Sequence, residues 1–445
     1  MNRKGIWMAL LLAVAFLLGG CAMRTVDQMY CLPKRSEEYN NLQNAIDREM
    51  SGLEYCAPLS GENQQSVQMA DLTGDGVPEY LLFAKGSGEK PLQILIFRQE
   101  GEEYVLAQTI QSSGSAFEQV EYVQMDGREG CELVVGRQLS DQVLRSVSVY
   151  SIADGEGEQL ITANYTRFLT CDLDGDSLGE LMILCPGQQE TDNGVAELYR
   201  FRDGVAERST EVNMSEPVDK LKRVITGRLE GGPNAVFVAS TVEESAIITD
   251  VFAIVEGRFT NVSLSNESGT SVQTLRSYYV YADDIDEDGV VELPSLVTMI
   301  SPAEARSLEQ QYLIRWYAMR PDGSEVDKMF TYHNFMDGWY LRLEPSVAGR
   351  MTVVQERESG ESTRYAFYLW DEAYTNMEKL LTVYVLTGDN REDAAARDNR
   401  FILYNAENTI YAARLEAASA AWGLSSDTII QAFHMIRMDW KTGET

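Results

Sequence analysis

The stretch Asp172-Leu-Asp-Gly-Asp-Ser-Leu-Gly-Glu180, followed by the apolar run Leu181-Met-Ile-Leu184, decides the fold because it recurs along the chain. Two further intact copies are Asp71-Leu-Thr-Gly-Asp-Gly-Val-Pro-Glu79 and Asp284-Ile-Asp-Glu-Asp-Gly-Val-Val-Glu292. Two degenerate copies lie between them, Met125-Asp-Gly-Arg-Glu-Gly-Cys-Glu132 and Arg228-Leu-Glu-Gly-Gly-Pro-Asn234. The copies are 46 to 56 residues apart when they are counted from Asp71, Asp126, Asp172, Arg228 and Asp284. A period of this size predicts a repeat architecture.

A β-hairpin pattern follows each acidic loop: two runs rich in β-forming residues flank a short turn. These turns are centred on Glu100-Gly101, Asp154-Gly155, Asp203-Gly204, Glu256-Gly257 and Asp322-Gly323. One period therefore predicts about four short antiparallel strands, which is the content of a propeller blade. The predicted fold is mainly β: a β-propeller of about five four-stranded blades over residues 61–345, with six or seven blades as alternatives. A β-solenoid or a string of sandwiches fits the period less well.

The three intact loops carry oxygen donors at positions one, three, five and nine, and position seven offers a backbone carbonyl. Such hard donors suit Ca²⁺, which takes six to eight oxygen ligands. An EF-hand is excluded because its twelfth position needs a bidentate acid, whereas this sequence has Leu82, Ile183 and Ser295 there. The alternative is a set of plain Asp-Gly turns between strands. The candidate metal ligands are Asp71, Thr73, Asp75, Val77, Glu79, Asp172, Asp174, Asp176, Leu178, Glu180, Asp284, Asp286, Asp288, Val290 and Glu292.

This nine-residue spacing, with a strand after it, resembles the calcium loops of integrin-type propellers (FG-GAP repeats) and of bacterial VCBS-repeat proteins. The resemblance covers roughly residues 65 to 340 and implies that the acidic loops bind Ca²⁺, which would stabilise the blades. The neutral donor Thr73 weakens the first site. No metal is expected at the loops of Asp126 and Arg228, which lack most donors.

The N-terminus has a basic start at Arg3 and Lys4, then an apolar run that ends in Leu18-Gly-Gly-Cys21. This pattern is typical of an export signal, and the run is too short for a comfortable transmembrane helix. Its end resembles the lipobox of bacterial lipoproteins, which implies cleavage after residue 20 and lipidation of Cys21. We therefore expect a cell-membrane location, with the lipid bilayer as a partner and the body outside the cytoplasm. An ordinary signal peptide with an incidental cysteine is the alternative.

Residues 21–60 predict a lipidated tether followed by an amphipathic helix from Ser36 to Met50, packed on the first blade. Residues 346–445 predict a small C-terminal α+β domain. Its predicted strands are Met351–Gln355, Tyr365–Trp370 and Leu380–Leu386, and its predicted helices are Asn405–Trp422 and Asp427–Trp440.

Charge and side-chain chemistry exclude several functions. The formal net charge of −32 repels nucleic acid, so no nucleic-acid partner is expected. Only two histidines are present, His333 and His434, which leaves little room for a Ser-His-Asp or zinc site. Besides Cys21, five cysteines remain, an odd number, and Cys31 with Cys56 is the pair we predict.

Three functions stay open. The first is a binding module for a protein or glycan partner, and it is favoured because no catalytic constellation is evident. The second is an envelope enzyme that acts on polysaccharide through propeller carboxylates, and the third is a structural envelope assembly factor. Trp339 and Tyr340 flank a turn at Asp337-Gly338 that predicts a closing hairpin; the alternative is an exposed ligand platform.

Overall fold

The computed structural model describes residues 37–139, 144–152, 157–189, 192–243, 246–277, 280–300, 311–357 and 362–437. Cys21, Cys31 and the export signal lie outside these ranges, so lipidation and the Cys31–Cys56 pairing stay predictions. Among the described residues, no helix is both long and apolar enough to cross a membrane.

The described chain is mainly β and forms six antiparallel sheets in sequence order. The first sheet contains β1 (Glu54–Tyr55), β2 (Val67–Ala70), β3 (Glu79–Lys85), β4 (Leu92–Glu100) and β5 (Glu103–Ser112). The second contains β6 (Ala116–Val123), β7 (Glu132–Gln138), β8 (Arg145–Ser151) and β9 (Glu158–Tyr165). The third contains β10 (Arg167–Cys171), β11 (Glu180–Cys185), β12 (Val195–Arg202), β13 (Val205–Arg208) and β14 (Val212–Asn213).

The remaining three sheets complete the series. The fourth contains β15 (Leu221–Arg228), β16 (Asn234–Val242), β17 (Ala246–Val255) and β18 (Arg258–Asn261). The fifth contains β19 (Glu292–Thr298), β20 (Tyr312–Met319), β21 (Glu325–Asn334), β22 (Trp339–Leu343) and the late strand β28 (Phe433–Met435). The sixth contains β23 (Met351–Arg357), β24 (Ser362–Trp370), β25 (Met377–Thr387), β26 (Phe401–Asn405) and β27 (Thr409–Leu415). The predicted hairpin strands and the three strands predicted after residue 345 are confirmed, whereas the predicted turn at Asp154-Gly155 lies outside the described residues.

The strand that follows each acidic loop is apolar because both of its faces are covered, by two neighbouring sheets or, for β3, by the second sheet and helix Glu37–Glu49. In β16, Val236 and Val238 pack against the third sheet, whereas Ala235 and Phe237 pack against the fifth. Side chains alternate between the two faces of a strand, so a strand covered on both sides contains a continuous apolar run. This is the physical reason for the apolar run that follows each loop in the sequence.

The six sheets stack in series. Clusters of buried side chains join the first sheet to the second, and so on up to the fifth and sixth. Across the described residues, no cluster joins the sixth sheet back to the first. The outer face of the first sheet is covered by helix Glu37–Glu49, which buries Leu42, Ala45 and Ile46. Helix Arg391–Ala395 covers the outer face of the sixth. The helix predicted from Ser36 to Met50 and its packing on the first sheet are confirmed.

The C-terminal segment differs from the prediction. The predicted helix from Asn405 to Trp422 is wrong, because this stretch holds β27 and the 3₁₀ helix Ala417–Trp422. The helix predicted from Asp427 is short, Ser426–Ala432, and its N-cap is Ser425. Phe433 then continues in β28, which pairs with β22, so His434 lies in a strand and not in a helix. Two short helices, Pro345–Ala348 and Arg391–Ala395, complete this segment.

Candidate metal centre

The acidic loops share one strand register. The residue before each intact loop pairs with the glutamate that ends it: Ala70 with Glu79, Cys171 with Glu180, and Asp283 with Glu292. By the same register, Val123 pairs with Glu132. The second copy therefore starts at Gln124, and Asp126 holds position three and not position one. In the fourth sheet Arg228 pairs with Asn234, which leaves a shorter loop that ends in an amide.

The glutamate at position nine closes each loop from the inside. Glu79, Glu132, Glu180 and Glu292 are all buried. One carboxylate oxygen of each accepts the backbone N–H of position two, at 2.9 Å from Leu72, 2.7 Å from Met125, 2.7 Å from Leu173 and 3.1 Å from Ile285. The contacts of the second carboxylate oxygen of this glutamate differ from loop to loop.

The aspartate at position one organises the turn. Asp172 accepts the backbone N–H groups of Gly175 at 2.7 Å and Ser177 at 3.0 Å. Asp71 likewise accepts those of Gly74 and Gly76. The residues at positions four and six have positive φ angles, a conformation that glycine adopts at little cost. The turn therefore favours glycine at these positions, although Ser177 and Glu287 adopt the same left-handed conformation in two of the loops.

The loop 284–292 has the strongest features of a metal centre. Carboxylate oxygens of Asp284, Asp286 and Glu292 lie within 4.8 Å of one another. Oδ1 of Asp286 and Oε1 of Glu292 are buried and have no hydrogen-bond partner. Burial and the neighbouring aspartates raise the pKa of Glu292 to about 8. Buried acceptors without donors are unfavourable, and a bound cation would satisfy both oxygens.

The loop 172–180 has the same arrangement with one neighbouring cation. Asp172, Asp174 and Glu180 bring carboxylate oxygens within 4.8 Å of one another, and burial raises the pKa of Glu180 to about 7. Nε of Arg200 lies 3.6 Å from Asp174 Oδ2 and partly compensates the charge. These two loops are the acidic groups, among the described residues, that could hold a metal ion.

The loop 71–79 satisfies its own glutamate. The hydroxyl of Thr73 donates to Oε1 of Glu79 at 3.0 Å, while the backbone N–H of Leu72 donates to Oε2 at 2.9 Å. Both glutamate oxygens therefore have donors within the protein. The neutral residue at position three, Thr73, thus serves as an internal donor, and its effect on metal binding stays a prediction.

Position five has a structural role in all three loops. Asp75, Asp176 and Asp288 each accept the backbone N–H of position seven, at 2.7, 2.9 and 2.7 Å. The donors are Val77, Leu178 and Val290. Positions one, three and nine thus form the gathered group. Ligation through position five or through the carbonyl of position seven stays a prediction.

The loop 124–132 holds an arginine where the intact loops have an aspartate. Arg128, at position five, donates from Nε to Asp126 Oδ2 at 2.6 Å and from Nη2 to Ser151 at 3.1 Å. Ser151 in turn donates to Oε1 of Glu132 at 3.2 Å. A guanidinium group and a hydroxyl therefore neutralise and satisfy the acids of this loop. Sequence reasoning missed this role, although Arg128 two residues after Asp126 is a readable signal.

Neighbouring loops contact one another along one edge of the stack. A Cβ on Gly74 would overlap the backbone nitrogen of Gly130, and Cys131 donates its thiol to the carbonyl of Asp71 at 3.4 Å. Asn234 donates to the carbonyl of Asp172 at 2.6 Å. Arg228 donates to the carbonyl of Asp288 at 2.7 Å. Each loop thereby positions the next.

The predicted ligand platform at Trp339 and Tyr340 is wrong. Trp339 is fully buried between Tyr365 and Phe433, and Tyr340 is stacked between His333 and His434. Both belong to β22, which forms the predicted hairpin with β21. Trp339 is buried because the sixth sheet packs over it, and β28, which pairs along β22 about a hundred residues later, supplies Phe433 and His434 to cover both residues.

No family model matches the sequence. No curated protein matches it either. Among solved structures, the exotype rhamnogalacturonan lyase YesX is 11% identical over 74% of this chain and 78% of that chain, with a TM-score of 0.29. The rhamnogalacturonan lyase PL11 of Bacillus licheniformis is 11% identical over 74% and 72%, with a TM-score of 0.31. A protein from Lactobacillus plantarum is 11% identical over 73% and 86%, with a TM-score of 0.26. These TM-scores are too low to bear on the fold or the function of this chain.

Proposed function

We propose that this chain is an exported, lipid-anchored binding module whose acidic loops bind Ca²⁺ and thereby stiffen a row of propeller blades. The observation that carries the metal site is the pair of buried oxygens without donors, Asp286 Oδ1 and Glu292 Oε1. These two oxygens and a carboxylate oxygen of Asp284 would coordinate Ca²⁺, and the ion would offset the mutual repulsion of the three carboxylates.

The six consecutive sheets support the interpretation as blades, because each buries its faces against its neighbours. On this interpretation the sixth sheet is a further blade, and Cys21 holds the whole body at the membrane. A protein or glycan would bind at loops that calcium makes rigid. No described constellation favours catalysis over binding.

Thermal unfolding tests the calcium site. Saturating Ca²⁺ should raise the Tm of the wild-type chain relative to a chelator, because an ion that binds only the folded state stabilises it. Asp286→Asn should lose a large part of this rise. Asp322→Asn is the matched control, since Asp322 also accepts hydrogen bonds within a turn but lies outside the acidic loops. An equal Tm with calcium and chelator in the wild-type chain would refute the site.

Fractionation tests the anchor, and pull-down tests the binding role. The chain with Cys21→Ser should leave the membrane fraction, whereas the wild-type chain should remain in it. A pull-down from envelope extracts, with calcium and with chelator, should recover a calcium-dependent protein or glycan. Recovery of nothing that depends on calcium would contradict the binding-module proposal while leaving the metal site intact.

A further inference from the structure

The glutamate that closes each acidic loop has a neighbour on the next strand of its sheet, and this cross-strand position differs from loop to loop. Glu292 pairs directly with Ala318 of β20. By the same register, Glu180 lies opposite Arg200 of β12. The two loops that gather three carboxylates therefore differ at this position, since the loop 284–292 has a methyl group there and the loop 172–180 has a guanidinium group.

Arg200 reaches one of the gathered carboxylates. Its Nε lies 3.6 Å from Oδ2 of Asp174, and this Nε is buried without a hydrogen-bond partner. The distance is too long for a hydrogen bond, so Arg200 compensates the charge of Asp174 without saturating its oxygens. The two side chains are 28% and 18% exposed, so solvent screens their attraction only in part. Asp174 holds position three of its loop, and an ion bound there would lie next to the guanidinium group.

The nearest cation of the loop 284–292 contacts a different position. Lys328 lies 3.4 Å from Oδ2 of Asp288 and is shared with Glu230, at 2.7 Å. Asp288 holds position five, which accepts a backbone N–H of its own loop and is not one of the gathered carboxylates. Within the part of the chain that the structure describes, no lysine or arginine forms an ion pair with the three gathered carboxylates of this loop.

The other two loops show what a side chain at the cross-strand position can do. Ser151 occupies it in the second sheet and donates to Glu132 at 3.2 Å, so a side chain there reaches the loop acids. Arg98 occupies it in the first sheet but is half exposed and forms an ion pair with Glu100 at 2.7 Å. An arginine at this position therefore acts on the loop only where it is directed towards the loop, as Arg200 is.

We infer that Arg200 lowers the calcium affinity of the loop 172–180, so that the chain has a tighter site at 284–292 and a weaker site at 172–180. This inference rests on the proposed calcium binding and assigns its regulation. A cation beside a ligand oxygen repels an incoming Ca²⁺ and competes with it for the same negative charge. At calcium concentrations between the two affinities, the loop 284–292 stays filled and the loop 172–180 responds. That response would reach the fourth sheet, because Asn234 donates to the carbonyl of Asp172.

Calorimetric titration of the whole chelator-treated chain with CaCl₂ tests the inference. The wild-type chain should bind with two affinities, and Arg200→Gln should raise the weaker one about fivefold and leave the tighter one unchanged, because a partly exposed ion pair has a modest energy. Arg200→Lys keeps the charge and should keep the weaker affinity close to that of the wild-type chain. Arg98→Gln is the matched control and should change neither affinity, since Arg98 occupies the same cross-strand position but pairs with Glu100.

Two loop variants assign the affinities to their sites. Asp174→Asn should remove the weaker one, and Asp286→Asn should remove the tighter one. Thermal unfolding adds a second measurement: Arg200→Gln should lower the Tm in chelator, because Asp174 loses its compensating charge, and should enlarge the rise in Tm that calcium causes. The loss of a merely structural contact would lower the Tm and leave the calcium affinity unchanged.

Two results would overturn the inference while leaving the calcium sites intact. One is a weaker affinity that Arg200→Gln does not change, and the other is a wild-type chain in which both loops bind calcium equally well. A wild-type chain that binds no calcium would instead refute the proposed calcium binding, and this inference with it.

Discussion

The loops 284–292 and 124–132 have the same register and a buried glutamate at the same position, yet they compensate their acids differently. In the first, Asp286 Oδ1 and Glu292 Oε1 have no donor. In the second, Arg128 contacts Asp126, and Ser151 donates to Glu132. The comparison shows that the same register and the same buried glutamate are kept in a loop whose acid is compensated by a side-chain cation, Arg128. We therefore expect the first loop to depend on calcium and the second to be indifferent to it.

A substitution that disrupts the contact between neighbouring loops should have the largest effect on stability. Gly74→Ala should destabilise the chain by about 3 kcal/mol or more, since it adds a clash with the backbone of Gly130 to a left-handed φ angle. Gly76→Ala has a similar φ angle but open space around the new Cβ, and should cost only about 1 kcal/mol. Denaturant unfolding of both variants checks this. Equal losses would mean that the contact between the two loops contributes nothing.

Removal of Arg128, the cation within the loop 124–132, should have the second-largest effect on stability. Arg128→Ala should destabilise the chain by about 2 kcal/mol in chelator, because the buried carboxylate of Asp126 loses its partner while Arg128 itself is partly solvent-exposed. Calcium should recover part of this loss by occupying the vacated loop. Chemical denaturation with and without calcium measures both quantities. A loss that calcium leaves unchanged would show that the loop cannot exchange one cation for another.

Removal of a carboxylate from the loop 284–292 should have opposite effects on stability in chelator and in calcium. In chelator, Asp286→Asn should stabilise the chain slightly, by about 0.5 kcal/mol, because it relieves repulsion with the neighbouring acids. In calcium, the same change should destabilise it by about 1 kcal/mol through the lost ligand. Denaturant unfolding in both conditions distinguishes the two effects. A variant that behaves alike in both would not support a metal at Asp286.

His333 is a buried titratable residue whose imidazole stays neutral in the folded state. Burial lowers its pKa to about 3, whereas an unfolded histidine titrates near its ordinary value of 6.5. As the pH falls from 6.5 towards 3, the unfolded state binds the proton and the folded state does not, so stability is lost across this window. The slope from this group should reach about 1.4 kcal/mol per pH unit. His333→Phe should make the acid limb of a stability-against-pH curve shallower by that amount; an unchanged slope would contradict this assignment.

The repeat and its hairpins could be predicted from the sequence because their signals are local. Asp-Gly turns, apolar runs and the amphipathic helix before Met50 each require only neighbouring residues. The gathering of positions one, three and nine could also be read from the spacing around Asp172 and Asp284. These are the features that the structure confirms most directly.

The remaining features depend on contacts between distant parts of the chain. The local sequence does not show that Trp339 and Tyr340 are buried, because the covering side chains come from the sixth sheet and from β28. Thr409–Leu415 falls within the predicted helix Asn405–Trp422, yet its pairing with β25 extends it into the strand β27. Tertiary pairing overrides local propensity in both cases. The contact of Arg128 with Asp126, two residues away, is local and could have been read from the sequence.

A crystal structure of the chain with saturating calcium tests the central claim most directly. The account predicts a calcium ion bound by Asp284, Asp286 and Glu292 at oxygen distances of about 2.3–2.6 Å, and no ion at Asp126, where Arg128 is the cation. Density at both loops, or at neither, would contradict the claim that metal and arginine are alternative solutions to the same buried charge.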